Sequence, residues 1–456
     1  MMIGLAVLLQ VAAADSSILS FAEFQRRVAT AHPIVRQARL LDTLAMGRER
    51  AARGAFDPRV SAQWDRKALA GKAYFDYLDL QLSIPTQLGV DVKVGFERAR
   101  GPFAAPDRGT PRNGLVTAGL SMPIGQRLVT DERRVALAQA RAMRDVAAGE
   151  RDALVNKLLS TAADAYATWY EGHQRLLVAE EGVRLATIRL TALRERVQQG
   201  DAAAIDTIEA TLEVARRQLA RREAQLARQN AAVVVEGLLW DDRDQPMQLA
   251  EGTRPGGAEL APLLEGRVDA PGLVAAARDH PELRKAIAKV REQEAMRRLA
   301  LQRAVTPDVS ATVTTLAEPG AAPGAVSSDA KAGVAASVPL FWRRERGNLM
   351  ATSARLDQLV SERTLAARGV GVAIEVALNE WSALEELLVL QRDVVEQARR
   401  LREGEDRKFV VGESTVFLVT ARERLVLDEE ARRIALEAKR FSALGKLAVA
   451  LGVPTP

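Results

Sequence analysis

The chain has 456 residues, 48% of them hydrophobic but only 4% aromatic, a net charge of +5 and no cysteine. The missing cysteine excludes disulfides, thiolate metal sites, a cysteine nucleophile and lipid attachment through an N-terminal cysteine. The basic balance does not describe a nucleic-acid binder. Arginine is interleaved with Glu and Asp, as in Arg221-Arg222-Glu223-Ala224, which gives mixed helix faces rather than a basic stripe.

In chain order, Ile3 to Ala13 is apolar apart from Gln10 and runs into the small residues Ala12-Ala13-Ala14. This reads as a secretory signal over residues 1–14, with a short buried helix as the alternative. No later apolar run is long enough for a transmembrane helix. Ser20 is placed to cap a short helix to Arg27, and His32-Pro33 opens a second helix that runs to about Gly54.

From about 58 to 124 the period changes from 3.6 to 2. Leu78, Leu80, Leu82 and Ile84 alternate with Asp79, Gln81 and Ser83. Val90 to Phe96 and Val116 to Met122 alternate in the same way, which predicts strands with one apolar and one polar face. Alternation alone does not separate a half-buried soluble sheet from the wall of a membrane barrel.

A long helical hairpin follows, out from about Arg127 to a break at Gly200-Asp201 and back from Asp206 to Trp240. An outbound arm of about 70 residues has a length of roughly 105 Å. Val155, Leu159, Ala162, Tyr166, Trp169, His173 and Leu176 recur at alternating four- and three-residue steps, as in a coiled-coil seam. The return arm carries Ile205, Ile208, Leu212, Ala215, Leu219 and Leu226 at similar spacing, with Arg222 in the row. Trp169 and Tyr170 are accordingly read as packing residues.

Residues 241–270, rich in Asp, Gly and Pro, read as a linker. The order of elements then repeats. His280-Pro281-Glu282-Leu283-Arg284 echoes His32-Pro33-Ile34-Val35-Arg36, and Ser337-Val338-Pro339-Leu340 echoes Ser121-Met122-Pro123-Ile124. Strands are expected at 307–316 and 331–341, and a second long hairpin over 343–451, broken at Gly412. Its seam is Ile374, Ala377, Trp381, Leu384, Leu388, Val395 and Ala398, returning through Leu427, Ala431, Ile434, Ala438 and Phe441. The chain is thus read as two related halves, 15–240 and 271–452. The first half has an additional hairpin at about 74–100. The expected fold class is mainly α with membrane β-strands: tandem long α-hairpins building an α-helical barrel, joined to a β-barrel closed by several chains.

This arrangement resembles the TolC family of outer-membrane efflux ducts. The resemblance rests on "HPELRKA" at 280–286, "LSMPI" at 120–124, "SVPLF" at 337–341, and the tips "QGDAAAIDTIEA" at 199–210 and "VGESTVFLVTA" at 411–421. It implies a homotrimer in the lipid of the outer membrane with a large periplasmic helical portion. Its partners would be a periplasmic adaptor and an inner-membrane pump of RND or ABC type, with no nucleic acid and no cofactor. Pro123 and Pro339 would mark the strand-to-helix junctions, and Gly200-Asp201 and Gly412-Glu413 the adaptor-docking tips. Family members usually carry a small apolar or hydroxylic residue after each tip glycine, so the acidic residues here point to a basic partner surface. The family's periplasmic constriction maps onto Asp206 and Glu209, with Leu418 and Thr420 as the carboxylate-free equivalents in the second half. For Asp206 a helix N-cap is the other reading.

The three histidines, His32, His173 and His280, have no metal-ligand spacing. Neither a phosphate loop nor a nucleophile elbow is present, and no enzyme is expected. The rival reading is a periplasmic coiled-coil adaptor, which also has a long hairpin but carries only one.

Overall fold

Pro33 supplies no backbone donor, so it stands where a helix needs none, at the first position of a 21-residue helix. The computed structural model describes residues 18–257, 277–319 and 329–452. The predicted signal and the residues 258–270 of the predicted linker lie outside these. Seven α-helices are described: α1 (Phe21–Ala31), α2 (Pro33–Arg53), α3 (Glu132–Gln199), α4 (Ala204–Glu236), α5 (Pro281–Val305), α6 (Arg343–Val410) and α7 (Val416–Leu451). The strands are β1 (Ile18–Leu19), β2 (Arg59–Leu69), β3 (Lys72–Pro85), β4 (Asp91–Arg100), β5 (Leu115–Pro123), β6 (Arg254–Pro255), β7 (Asp308–Ala317) and β8 (Ala330–Ser337). Helices α3 and α6 have 68 residues each, far above the usual dozen.

Contacts divide the chain into two units, one made of residues 1–40, 150–283 and 367–456, the other of 41–149 and 284–366. The core of the first unit is aromatic. Phe21 and Phe24 of α1, Tyr166, Trp169 and Tyr170 of α3, and Phe441 of α7 are all buried together. Their neighbouring rings lie 5.0 to 5.7 Å apart, largely edge-on or tilted, the geometry that ring quadrupoles favour. The Tyr166 hydroxyl donates to the Leu19 carbonyl at 2.7 Å, tying the parallel β1–β6 pair to α3. Helices α3 and α7 approach closely at Gly445, where a Cβ would stand 2.7 Å from Ala163 Cβ. The second-half seam residues Ile374, Ala377, Leu384, Leu388, Val395 and Ala398 are buried.

The return-arm seam of the first half is different. Ile205, Ile208, Leu212, Leu219 and Leu226 are exposed, and α4 instead buries Ala210, Glu213, Ala231 and Val235. The coiled-coil spacing is present, but within this chain nothing covers that stripe among the described residues.

The second unit holds one six-stranded antiparallel sheet in the order β2-β3-β4-β5-β7-β8. The additional hairpin is therefore part of the same sheet, and its strands are β3 and β4. The β3–β4 turn lies near the start of α3: Arg133 pairs with Asp91 at 3.1 Å, and Gly89 packs under Arg134. Gly89 adopts φ +85, a conformation that only glycine takes without cost. These two strands thus run the full height of the sheet, from the loop end to the helix end.

Candidate functional site

The hairpin tips are closed by the same backbone device twice. At the end of α3, Gly200 N–H donates to Val197 O at 3.1 Å and Asp201 N–H to Arg196 O at 2.9 Å. At the end of α6, Gly412 N–H donates to Phe409 O at 3.2 Å and Glu413 N–H to Lys408 O at 2.9 Å. This pair of bonds satisfies the last helical carbonyls and requires a left-handed residue, which here is glycine at φ +84 and +81. All four predicted docking residues, Gly200, Asp201, Gly412 and Glu413, are exposed. Leu190 and Leu193 of α3, Ala210 of α4 and Val416 of α7 bury one another beneath the tips.

The return helices begin differently. Thr415 caps α7, its hydroxyl accepting from the Leu418 amide at 3.3 Å. Helix α4 begins after Ala203, which offers no side-chain cap. Asp206 is therefore not the N-cap. It occupies the third helical position, where its charge favours the positive end of the helix dipole. Leu418 holds the matching third position of α7 and is 39% exposed, whereas Thr420 is buried. Asp206 and Glu209 are half-buried, and Arg424 of α7 feels the charge of Glu209.

Two of the buried carboxylates on the return helices, Glu423 and Glu213, lie near the tips and outside the predicted set. Glu423 of α7 accepts two hydrogen bonds from Arg189 of α3, one of 2.6 Å from Nη1. Asp406 of α6 approaches the same guanidinium at 3.9 Å; burial pushes its carboxyl up, against the pull of Arg189 and with the push of Glu423. Glu213 of α4 meets Arg217 at 2.7 Å and is also bonded by Arg424. Burial pushes Glu213 up, but the Arg424 hydrogen bond and the charges of Arg217, Arg424 and Arg216 outweigh it and hold the carboxyl below its ordinary range. The second-half return helix therefore does carry a carboxylate near the tip. The signal for it was available: Glu423 and Glu430 stand at seam spacing among Val416, Val419 and Val426.

In the sheet, Pro123 is the last residue of β5, and the ladder continues past it, Ile124 N–H donating to Val309 O at 2.7 Å. Pro339 lies between the end of β8 and the start of α6, followed by Leu340 and Phe341, 87% and 70% exposed. One sheet face is apolar across all six strands. Trp64 of β2 lies beside Leu78 of β3, Leu80 beside Phe96 of β4, and Val94 beside Ala118 of β5. The face continues from Leu120 to Val313 of β7 and Ala332 of β8. Its members Val60, Trp64, Leu120, Val313 and Val334 are exposed. Along β3 the apolar run from Leu78 to Ile84 is about 20 Å tall. Above it the same face turns charged, with Arg66 opposite Asp76 and Asp76 opposite Arg100. The outer strands β2 and β8 have no further strand partner among the described residues. No described helix is long and apolar enough to cross a membrane.

Several solved structures share this fold at low identity. The outer membrane protein VceC from Vibrio cholerae superposes with a TM-score of 0.67 at 16% identity, over 96% of this chain and 97% of that one. The open state of the MtrE outer membrane channel from Neisseria gonorrhoeae gives 0.66 at 15% identity, over 95% and 89%. The CmeC outer membrane channel from Campylobacter jejuni gives 0.63 at 13% identity, over 95% and 85%. Comparison with curated proteins gave no match. In sequence, residues 273–453 match the family model described as outer membrane efflux protein. The second half thus matches that family in sequence, and the chain shares the fold of these outer membrane channels along its length.

Proposed function

We propose that this protein is the outer-membrane channel of a tripartite efflux or type I secretion system, a passive conduit assembled from three identical chains. The observation that carries this reading is the six-stranded sheet with one continuous exposed apolar face and two open edges. In lipid, each unpaired edge N–H or C=O costs several kcal/mol, so such a sheet is stable there only when closed into a barrel. The exposed Ile and Leu stripe of α4 has the same need of a neighbour, and a ring of copies covers both. The rival adaptor reading has no support in the family match.

In this reading the tips face the periplasm, with Gly200-Asp201 and Gly412-Glu413 receiving a periplasmic adaptor that is joined to an inner-membrane pump. The exposed Asp201 and Glu413 favour a basic adaptor surface. Asp206 and Glu209 contribute to the periplasmic constriction, together with Leu418 and Thr420 from the second half. The protein lowers no chemical barrier; it supplies an aqueous path whose width at the tips sets the flow.

The test is conductance of the purified protein in a planar bilayer. The expected result is discrete pores, with higher leak and altered ion selectivity when Asp206 and Glu209 are both replaced by Ala. A protein that inserts but conducts nothing would remove the channel reading. Unchanged leak and selectivity in the double variant would remove the two carboxylates from the constriction.

A further inference from the structure

Resting on that channel reading, we infer that all six strands of each chain enter the barrel wall. β2 of one copy pairs with β8 of the next, so that three copies close an eighteen-stranded barrel. Three independent features of the sheet point to this closure.

The first is direction. Every neighbouring pair in the sheet is antiparallel, and six is an even number. Under rotational symmetry β8 of one copy therefore meets β2 of the next antiparallel, and the ladder pattern continues unbroken.

The second is stagger. The row of paired residues that starts on Arg59, at the helix end of β2, passes Ser83, Lys93, Gly119 and Thr314. It reaches β8 at Lys331, about six residues short of that strand's helix end at Ser337. Bringing the helix ends of β2 and β8 level thus offsets each copy by about six residues over six strands. At ~3.4 Å per residue and ~4.8 Å between strands this is a tilt of about 35°. Closed barrels need 35–45°. The slope required for closure is already present within one chain.

The third is side-chain fit at the seam. In that register Val60 falls opposite Ala336, Ala62 opposite Val334 and Trp64 opposite Ala332. All lie on the apolar face, with the one large ring against a small residue. On the other face Asp65 falls opposite Lys331, an opposite-charge pair. Both edge strands are exposed along almost their whole length. A wall of eighteen strands falls in the range of porin barrels, which leave an aqueous channel.

The absence of native cysteine makes the test direct. Ser61→Cys and Ala335→Cys, combined in one chain, place thiols opposite each other across the proposed seam. Oxidation in outer-membrane preparations is expected to convert most of the monomer band on a denaturing gel into covalent dimer and trimer, whereas either single variant stays monomeric. A second pair, Lys93→Cys with Ala335→Cys, reports the competing closure in which β2 and β3 stand outside the wall and β4 forms the edge. The proposal requires that this second pair stay unlinked. Cross-linking of the second pair in place of the first overturns it, as does failure of both pairs. A covalent ladder extending past three copies overturns the count of eighteen. The cross-link is read without conductance, so linked trimers that form no pore would defeat the channel reading and leave the seam standing. Pores without the first cross-link would do the reverse.

Discussion

Glu423 is buried on α7 and takes both its strong hydrogen bonds from Arg189 of α3. Removing Glu423 leaves the Arg189 guanidinium only the weaker pull of Asp406 at 3.9 Å, at a cost of about 3 kcal/mol at most. Glu423→Gln is expected to lower the denaturant midpoint of the detergent-solubilised protein by a matching amount. The double variant Arg189→Met with Glu423→Leu recovers most of the loss. Equal midpoints for Glu423→Gln and the native chain would show that the pair contributes nothing. Glu213 gives a pH dependence. Its folded carboxyl lies below the unfolded value of 4.5, so its contribution is complete above about pH 4.5 and fades as the pH falls through the folded value. Asp406 has the opposite sign, since its raised carboxyl favours the fold in acid and loses that advantage as the pH rises. Amide protection at the tips, corrected for the intrinsic exchange rate, should therefore fall below about pH 4.5. Glu213→Gln should flatten that limb, and an unchanged limb would assign the acid sensitivity elsewhere.

At the scale of elements, α4 shows what a helical repeat conveys and what it leaves out. Its row of Ile205, Ile208, Leu212, Leu219 and Leu226 announces a seam, but spacing does not say whether the partner belongs to the same chain. Among the described residues that face has no partner, and α4 packs through Ala210 and the ion-paired Glu213 instead. Leu219 is 62% exposed, so Leu219→Glu should leave helix content and monomer stability unchanged while reducing the trimer fraction in detergent severalfold. Light scattering measures the fraction and circular dichroism the helix content. An unaltered trimer would place the stripe away from the contact between copies. The strands were more legible than the helix faces, because alternation fixes both the element and its two sides. The tip glycines were legible too, since few residues other than glycine end a helix in the left-handed region. The inward position of Glu423 was legible from its seam spacing, but its ion pair and that of Glu213 were not, because the arginines that pair with them on other helices are distant in sequence. The expected cap at Asp206 failed for a simpler reason: the helix begins two residues earlier, at Ala204.

For the molecule as a whole, folding leaves apolar surface or backbone groups uncovered, among the described residues, at the sheet face, the two sheet edges and the α4 stripe. Lipid suits the first, and other copies suit the second and third. The strand count adds a constraint on how such a protein can change its bore. The hairpin β3–β4 leaves the chain at the same rim from which it set out, so the start of α3 stays on the correct side. A lone inserted strand would deliver that helix to the opposite rim. In a barrel closed as proposed, bore size can therefore change only in hairpin-sized steps, each repeated in every copy around the circumference.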